Sequence, residues 1–240
     1  MQFAPPETAD DLESGSVRHQ DVKFLSEQDI ARELRTVRAQ GIPGTARSTV
    51  GQFSLAGAQP KIALLEEDGR WAQPSGRIPT NRILKPPTGE FLGFVENEHF
   101  CLELATELSL GSVRSRVLRF VDEVAIVVER FDRERRQNDY VRIHQEDTCQ
   151  ALGVMPHQKY EREGGPGIRD IITLLRDSSS RPDEDVDRFL RATALNWVIA
   201  ATDAHAKNYA LLHGEGGRLR LAPFYDILSY LPIPQSSFTV

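Results

Sequence analysis

Residues 196–208 read Asn-Trp-Val-Ile-Ala-Ala-Thr-Asp-Ala-His-Ala-Lys-Asn, and this stretch decides how the rest of the chain is interpreted. It begins as the apolar end of a helix and then breaks into a polar run that contains Asp203 and Asn208. An Asp and an Asn in such a loop usually cap a helix or bond their own backbone. Their spacing of five positions is nevertheless also consistent with a role of both side chains in catalysis.

That catalytic role depends on a third polar residue, Asp226, which follows an apolar, strand-like run. An Asp and an Asn five positions apart occur in the catalytic loop of protein kinases, where a later Asp binds metal. Asp203 would act as the base, and Asn208 and Asp226 would offer the hard oxygen ligands that magnesium prefers. The sequence therefore predicts a kinase-like chain with a magnesium (Mg²⁺) site.

Composition limits the other function classes. The chain has 240 residues, a net charge of −6 and a pI near 5.6, which argues against broad nucleic-acid binding. Its two cysteines, Cys101 and Cys149, are typical of a reduced, cytoplasmic protein rather than a disulfide scaffold. No apolar run approaches about 18 residues and no secretory signal opens the sequence, so we expect no membrane association.

The order of elements predicts an α+β fold with two lobes, as in protein kinases. Residues 1–22 are polar and predict a flexible lead-in. Residues 23–133 predict a sheet-rich N-lobe, and residues 134–240 predict a partial, helical C-lobe that carries the catalytic loop. We expect a nucleotide to bind in a cleft between such lobes.

Individual elements follow from capping and periodicity. Ser26 and Asp29 predict a helix that ends at about Gln40. Phe100, Leu104 and Leu108 suggest the apolar face of a helix over 95–110. Further helices are predicted at 145–152, at 168–175 and at 183–201. Strands are predicted at 53–58, 61–65, near Trp71, and at 82–85, 115–120, 124–129, 209–213 and 218–222.

Two further stretches could contact phosphate. The small residues of Ser54-Leu-Ala-Gly-Ala-Gln-Pro-Lys61 would let backbone N–H groups approach an anion, although a plain hairpin turn also fits. Lys85 lies where a strand-borne lysine would reach the α- and β-phosphates. Glu98 and Glu103 on the next helix are both candidate partners for Lys85, and helical spacing does not choose between them.

Eight pieces in a fixed order resemble the HipA-type serine/threonine protein kinases, the toxins of bacterial toxin–antitoxin pairs. They cover about residues 50–235 and lie at 54–61, 83–86, 97–101, 128–133, 144–150, 164–167, 201–208 and 223–227. Members of this family continue into a substantial helical region after the last piece, whereas this sequence ends at Val240. The resemblance therefore implies that part of the supporting lobe is missing.

The resemblance also implies a role for each matching residue. Asp203 becomes the catalytic residue, Asn208 and Asp226 the metal ligands, and Ser54 the site of autophosphorylation. The implied nucleotide is ATP, and its implied contacts are Gly57, Ala58, Gln59, Lys61, Lys85, Glu129, Phe131 and Lys207. The implied protein substrate is an aminoacyl-tRNA synthetase. The implied partner is a HipB-like DNA-binding antitoxin, through which alone the chain would meet DNA.

Two alternatives remain open from the sequence. An inactive HipA-like remnant could bind nucleotide or antitoxin without catalysis. A kinase that acts on a small molecule or lipid would share the two-lobed plan and a similar Asp–Asn loop, although eight family pieces outweigh that option.

Overall fold

The structure is a computed structural model in which residues 22–40, 59–74, 78–88, 93–136 and 139–231 are described. Contacts divide the chain into two compact units. We call Met1–Pro86 with Leu118–Arg142 the strand-rich unit, and Pro87–Val117 with Ile143–Val240 the helix-rich unit. The predicted lead-in, apart from Val22, and the predicted strand at 53–58 lie outside the described residues. The lobe boundary at residue 133 stays a prediction.

The described residues form helices and strands that we number in chain order. The helices are α1 (Glu27–Gln40), α2 (Phe94–Glu107), α3 (Thr148–Ala151), α4 (Ile168–Ser178) and α5 (Pro182–Val198). The strands are β1 (Val22–Leu25), β2 (Ile62–Glu67), β3 (Arg70–Pro74), β4 (Arg82–Lys85), β5 (Ser115–Phe120), β6 (Glu123–Glu129), β7 (Arg133–Arg136), β8 (Asp139–Arg142), β9 (His144–Asp147), β10 (Ala210–His213) and β11 (Leu219–Leu221).

A six-stranded sheet with the order β1-β3-β2-β4-β6-β5 dominates the strand-rich unit. Helix α1 begins where expected, because the Ser26 hydroxyl accepts the Asp29 N–H and the Asp29 carboxylate accepts the Ser26 N–H. The predicted stripe of Ile30, Leu34 and Val37 is buried against this sheet. The sheet side of the contact comprises Ile62, Leu64, Leu84, Phe120, Ala125 and Val127. Burial of these apolar side chains holds the helix to the sheet.

The helix-rich unit contains a three-stranded sheet with the order β11-β10-β9 and the contacting helices α4 and α5. Asp185 of α5 is fully buried and accepts hydrogen bonds from the Arg220 side chain and the Leu221 N–H. Its other carboxylate oxygen lies 3.4 Å from an Arg188 nitrogen. These bonds tie α5 to β11 and so fix the helix that leads into the polar loop.

Two predictions about helices were wrong in part. Phe100 and Leu108 are 68% and 44% exposed, and α2 instead buries Val95, Glu98, Cys101, Leu102 and Ala105. The buried face of α2 includes Glu98, so a pattern of apolar residues does not reveal that face. The predicted helix at 145–152 begins only at Thr148, because residues 144–147 pair with β10 as a strand.

None of the helices within the described parts of the chain combines the length and the apolar character that crossing a bilayer requires.

Candidate active site

The polar loop begins where α5 ends and is shaped largely by its own backbone. Ala200 has a φ of +49°, a left-handed conformation that non-glycine residues rarely adopt. Residues 206–208 form a single 3₁₀ turn. Asn208 closes this turn, because its Oδ1 accepts the His205 N–H at 2.9 Å and its own N–H donates to the His205 carbonyl at 2.9 Å.

The segment around Asp226 is bonded to the start of the same loop. The Ser229 hydroxyl donates to the Ile199 carbonyl at 2.7 Å, and the Tyr230 N–H donates to the Ala200 carbonyl at 3.3 Å. Asn97 of α2 donates to the Ser229 carbonyl at 2.7 Å. These bonds explain why the family pieces around residues 97, 203 and 226, which lie far apart in the sequence, meet in one unit.

Asn208 and Asp226 are in direct contact. The Asn208 Nδ2 donates to the Asp226 Oδ2 at 3.3 Å, and Asp226 has a φ of +59°. Strained backbone at a non-glycine residue persists where the surrounding structure enforces it, and it clusters at functional sites. The side chain of Asp226 is exposed, so its carboxylate is accessible to a ligand.

An amide oxygen and a carboxylate fit magnesium, which is usually bound by one or two protein ligands together with phosphate oxygens and water. Within the described residues no group of three or more His, Cys, Asp or Glu side chains could hold a metal by itself. Asn208 Oδ1 accepts the His205 N–H with one lone pair, which leaves a second lone pair for a cation. The donor set therefore fits a phosphate-bound magnesium ion.

Lys207 is held by an ion pair with Asp147. Both side chains are largely buried, with exposed fractions of 20% and 10%. Asp147 also caps α3, because its carboxylate accepts the Gln150 N–H at 2.9 Å. The Tyr225 hydroxyl donates to the Lys207 carbonyl at 2.7 Å. The loop is thus fixed at Lys207 through both its side chain and its backbone carbonyl. The family resemblance had implied that Lys207 contacts ATP.

Asp203 is exposed and receives a hydrogen bond from the Tyr160 hydroxyl at 2.5 Å. Both residues line an open depression together with Glu161, Arg162, Thr202 and Tyr230. Burial raises the pKa of Tyr160, and the hydrogen bond to Asp203 raises this pKa further. The exposed carboxylate beside a depression is an arrangement that an incoming hydroxyl group could reach.

His205 lies between the loop and the segment that carries Tyr160. Its Nε2 is 2.8 Å from the Lys159 Nζ, and its ring packs edge-on against Tyr160 with 5.2 Å between centroids. Burial, followed by the charge of Lys159, lowers the pKa of His205. The Nε2 atom of a neutral His205 imidazole can accept a hydrogen bond from the Lys159 ammonium.

The remaining predicted site residues belong to the strand-rich unit. Lys85, on β4, is 7% exposed, and Gln59 and Lys61 are half-buried. Glu129 ends β6, and Phe131 follows it in a turn. Ser54, Gly57 and Ala58 lie outside the described residues. Of the two glutamates proposed as partners of Lys85, Glu98 is buried and Glu103 is exposed.

Three residues that contact the loop were not predicted from the sequence as parts of the site: Asp147, Lys159 and Tyr160. Tyr160 and Asp203 are 43 positions apart, and no periodic pattern connects two residues at such a separation. The available signal was that these residues lie in or near the family pieces at 144–150 and 164–167, to which no function had been assigned.

Comparison with known proteins places this geometry in a family. The HipA-like C-terminal domain family matches residues 53–239. A Sinorhizobium fredii protein named "Putative kinase Y4mE" is 40% identical over 233 residues, which are 97% of this chain and 55% of that protein. The "Serine/threonine-protein kinase toxin HipA" of Shewanella oneidensis is 30% identical over 190 residues, 74% of this chain and 43% of that protein.

Solved structures agree with the sequence relatives. The Shewanella oneidensis HipA, solved with HipB and its operator DNA, superimposes with a TM-score of 0.73 at 24% identity and covers 91% of this chain and 53% of that one. The proinflammatory kinase CtkA of Helicobacter pylori gives a TM-score of 0.50 at 13% identity, covering 69% of this chain and 53% of that one.

The chain therefore belongs to the HipA-like C-terminal domain family. Its fold is mixed α and β and kinase-like, as the sequence predicted. The chain spans about half the length of the curated relatives that it matches.

Proposed function

We propose that this chain is an ATP-dependent serine/threonine protein kinase. The observation that carries the proposal is the loop of residues 199–208, which holds Asn208 against Asp226 and presents Asp203 at an open depression. Membership in a family whose curated relatives bear kinase names supports it. The role of each residue in this proposal is the one that the family resemblance implies.

The oxygen of the acceptor hydroxyl attacks the γ-phosphorus of ATP, and the Asp203 carboxylate accepts the proton of that hydroxyl. The bond between that phosphorus and the bridging oxygen breaks, and ADP leaves with the bond electrons. Asn208 and Asp226 would hold a magnesium ion, and that ion would neutralise charge on the phosphates. Such transfers depend mainly on positioning and electrostatics, which is why bonds that fix the loop matter.

Residues of the strand-rich unit bind the nucleotide in this proposal. Lys85 contacts the phosphates, as a strand-borne lysine does in protein kinases. The backbone at Glu129 and Phe131 meets the adenine, and the stretch from Gly57 to Lys61 covers the phosphates. Lys207 acts indirectly, because its ammonium group is bonded to Asp147 and holds the loop in place.

The acceptor in this proposal is a hydroxyl on a protein of the translation machinery, such as an aminoacyl-tRNA synthetase, and Ser54 is an additional acceptor in the chain itself. These finer assignments depend on the family resemblance of the pieces that surround them. Incubation with ATP followed by mass spectrometry should find phosphate on Ser54, and a Ser54→Ala variant should lose that signal while still labelling other proteins.

A HipB-like DNA-binding antitoxin is the proposed partner. The support is the Shewanella oneidensis HipA, which was solved in a complex with HipB and operator DNA. We expect the chain to bind operator DNA only when an antitoxin is present. Gel-shift measurements with the chain, the antitoxin and both together test this, and DNA binding by the chain alone would contradict it.

The activity itself is tested with γ-labelled ATP and a bacterial lysate, followed by analysis of the phosphorylated amino acids. The proposal predicts labelled serine or threonine on protein. Label on small molecules or lipids would support the alternative kinase class. Binding of ATP without any transfer would identify the chain as a nucleotide-binding remnant.

A further inference from the structure

We infer that Tyr160 is the positioning residue that orients the Asp203 carboxylate toward the acceptor hydroxyl. The inference deepens the proposed function and depends on it for the role of Asp203. The contact itself joins two residues of one unit, and its geometry stands independently of that function.

Asp203 needs an external support because the loop around it provides little. Its side chain is exposed, and the other bonds of the loop, such as those of Ala200, His205 and Asn208, do not involve the Asp203 carboxylate. The Tyr160 hydroxyl donates to Oδ1, and among the described residues no other side-chain hydrogen bond to this carboxylate is found. Oδ2 receives no side-chain hydrogen bond among the described residues, and we assign it to the acceptor proton.

Tyr160 is itself firmly held. Its ring packs edge-on against His205, and the Lys159 ammonium lies 4.8 Å from the ring centroid. The Arg162 guanidinium carbon lies 5.1 Å from the same centroid. Cations near an aromatic face are attracted by its quadrupole, so these contacts restrict the ring. The Lys159 carbonyl also accepts the Ala206 N–H at 3.2 Å, which joins this segment to the loop.

Glycine at position 165 allows the backbone to turn tightly between Gln158 and Gly165. The Gly165 N–H donates to the Tyr160 carbonyl at 3.0 Å. A Cβ atom added to Gly165 would lie 1.9 Å from the Gln158 carbonyl oxygen and 2.9 Å from the Tyr160 carbonyl oxygen. Both obstacles are backbone atoms, so any larger residue must displace the turn that places Tyr160. The Gly-Gly-Pro-Gly piece thereby supports the orientation of Asp203.

A Tyr160→Phe variant tests the inference, because it keeps the ring and its packing and removes only the hydroxyl. We expect kcat to fall about tenfold or more, because a hydrogen bond to a charged group is stronger than one between neutral groups. The KM for ATP should stay unchanged. Tyr140→Phe, in the strand-rich unit, is the matched control and should keep the parental kcat. An unchanged kcat in Tyr160→Phe overturns the inference.

A second measurement does not depend on activity. Tyrosine ionisation is followed by NMR of ring-labelled protein, with the Tyr160 signal assigned from its loss in Tyr160→Phe. We expect Asp203→Asn to lower the pKa of Tyr160, because the charge and the strong acceptor disappear. Gly165→Ala should lower it as well by separating the pair. If the unmodified chain transfers no phosphate, the proposed function fails, while a Tyr160 pKa unchanged in Asp203→Asn overturns the inference itself.

Discussion

The Asn208 amide nitrogen lies 3.3 Å from the Asp226 carboxylate, although the two residues are 18 positions apart. A hairpin of β10 and β11 separates them in the sequence and returns the chain to the loop. Asp226 has a left-handed backbone conformation, and its carboxylate contacts the Asn208 side chain. This pair offers an amide oxygen and a carboxylate, the ligands in the site that best suit a metal ion.

Asp226→Asn should remove the magnesium dependence of ATP binding. The parental chain is expected to bind ATP more tightly when magnesium is added, because Asp226 supplies a charged ligand. Calorimetric titration of ATP with and without magnesium measures the difference. Asp187→Asn, whose side chain is 68% exposed on α5, is the control. Equal magnesium dependence in Asp226→Asn and the parent would remove Asp226 from the metal site.

Lys85→Met should weaken ATP binding at least tenfold while the fold persists. Methionine keeps most of the aliphatic stem of this buried residue and loses the charge that contacts phosphate in our proposal. Titration with a non-hydrolysable ATP analogue measures the affinity, and Lys23→Met on exposed β1 serves as the comparison. Unchanged affinity would show that Lys85 has a purely structural part.

Lys207→Met should lower the free energy of unfolding by about 1–3 kcal/mol, because it leaves the Asp147 carboxylate buried without its cation. Urea unfolding measures this loss, again beside Lys23→Met. Titration of the same variant with the non-hydrolysable ATP analogue distinguishes two roles for the residue. If the variant keeps the parental stability but binds ATP poorly, Lys207 contacts a phosphate directly instead.

The stability of the helix-rich unit should depend on the ionisation of Asp185. Burial alone would raise the pKa of this carboxyl, but hydrogen bonds from Arg220, Ser179 and the Leu221 N–H outweigh it and hold the pKa below its ordinary value of 3.8. A depressed pKa in the folded state contributes stability that is complete above the unfolded value and is lost as the pH falls through the folded value.

The stability difference between the parent and Asp185→Asn should therefore be largest above about pH 4 and shrink at lower pH. Urea unfolding at several pH values measures it. Asp187→Asn, two positions along the same helix, should show no such trend. A difference that stays constant between pH 5 and pH 2 would contradict the assigned network.

Local rules predicted much of this fold from the sequence. The Ser26–Asp29 capping pair and the stripe of Ile30, Leu34 and Val37 fixed α1, since both signals act within a few residues. The face of α2 was missed because its buried side includes Glu98, and burial of a charge follows from tertiary contacts that periodicity does not show.

The site shows the same division. Asp203, Asn208 and Asp226 were predicted as site residues from spacing and resemblance, and the structure brings Asn208 and Asp226 into contact. Tyr160 and Asp147 were missed, because each reaches the loop across at least 43 positions of sequence. What holds a catalytic group in place is decided by such long-range contacts, so the sequence identified candidate chemistry more readily than its support.

The catalytic role of Asp203 is tested most directly by phosphoryl transfer by the unmodified chain and by Asp203→Ala, measured with γ-labelled ATP and magnesium. We expect labelled protein with the parent, a rate about 10²–10³ lower with Asp203→Ala, and a parental rate with the control Asp187→Ala. Transfer by Asp203→Ala at the parental rate would contradict the assignment of the loop as the catalytic site.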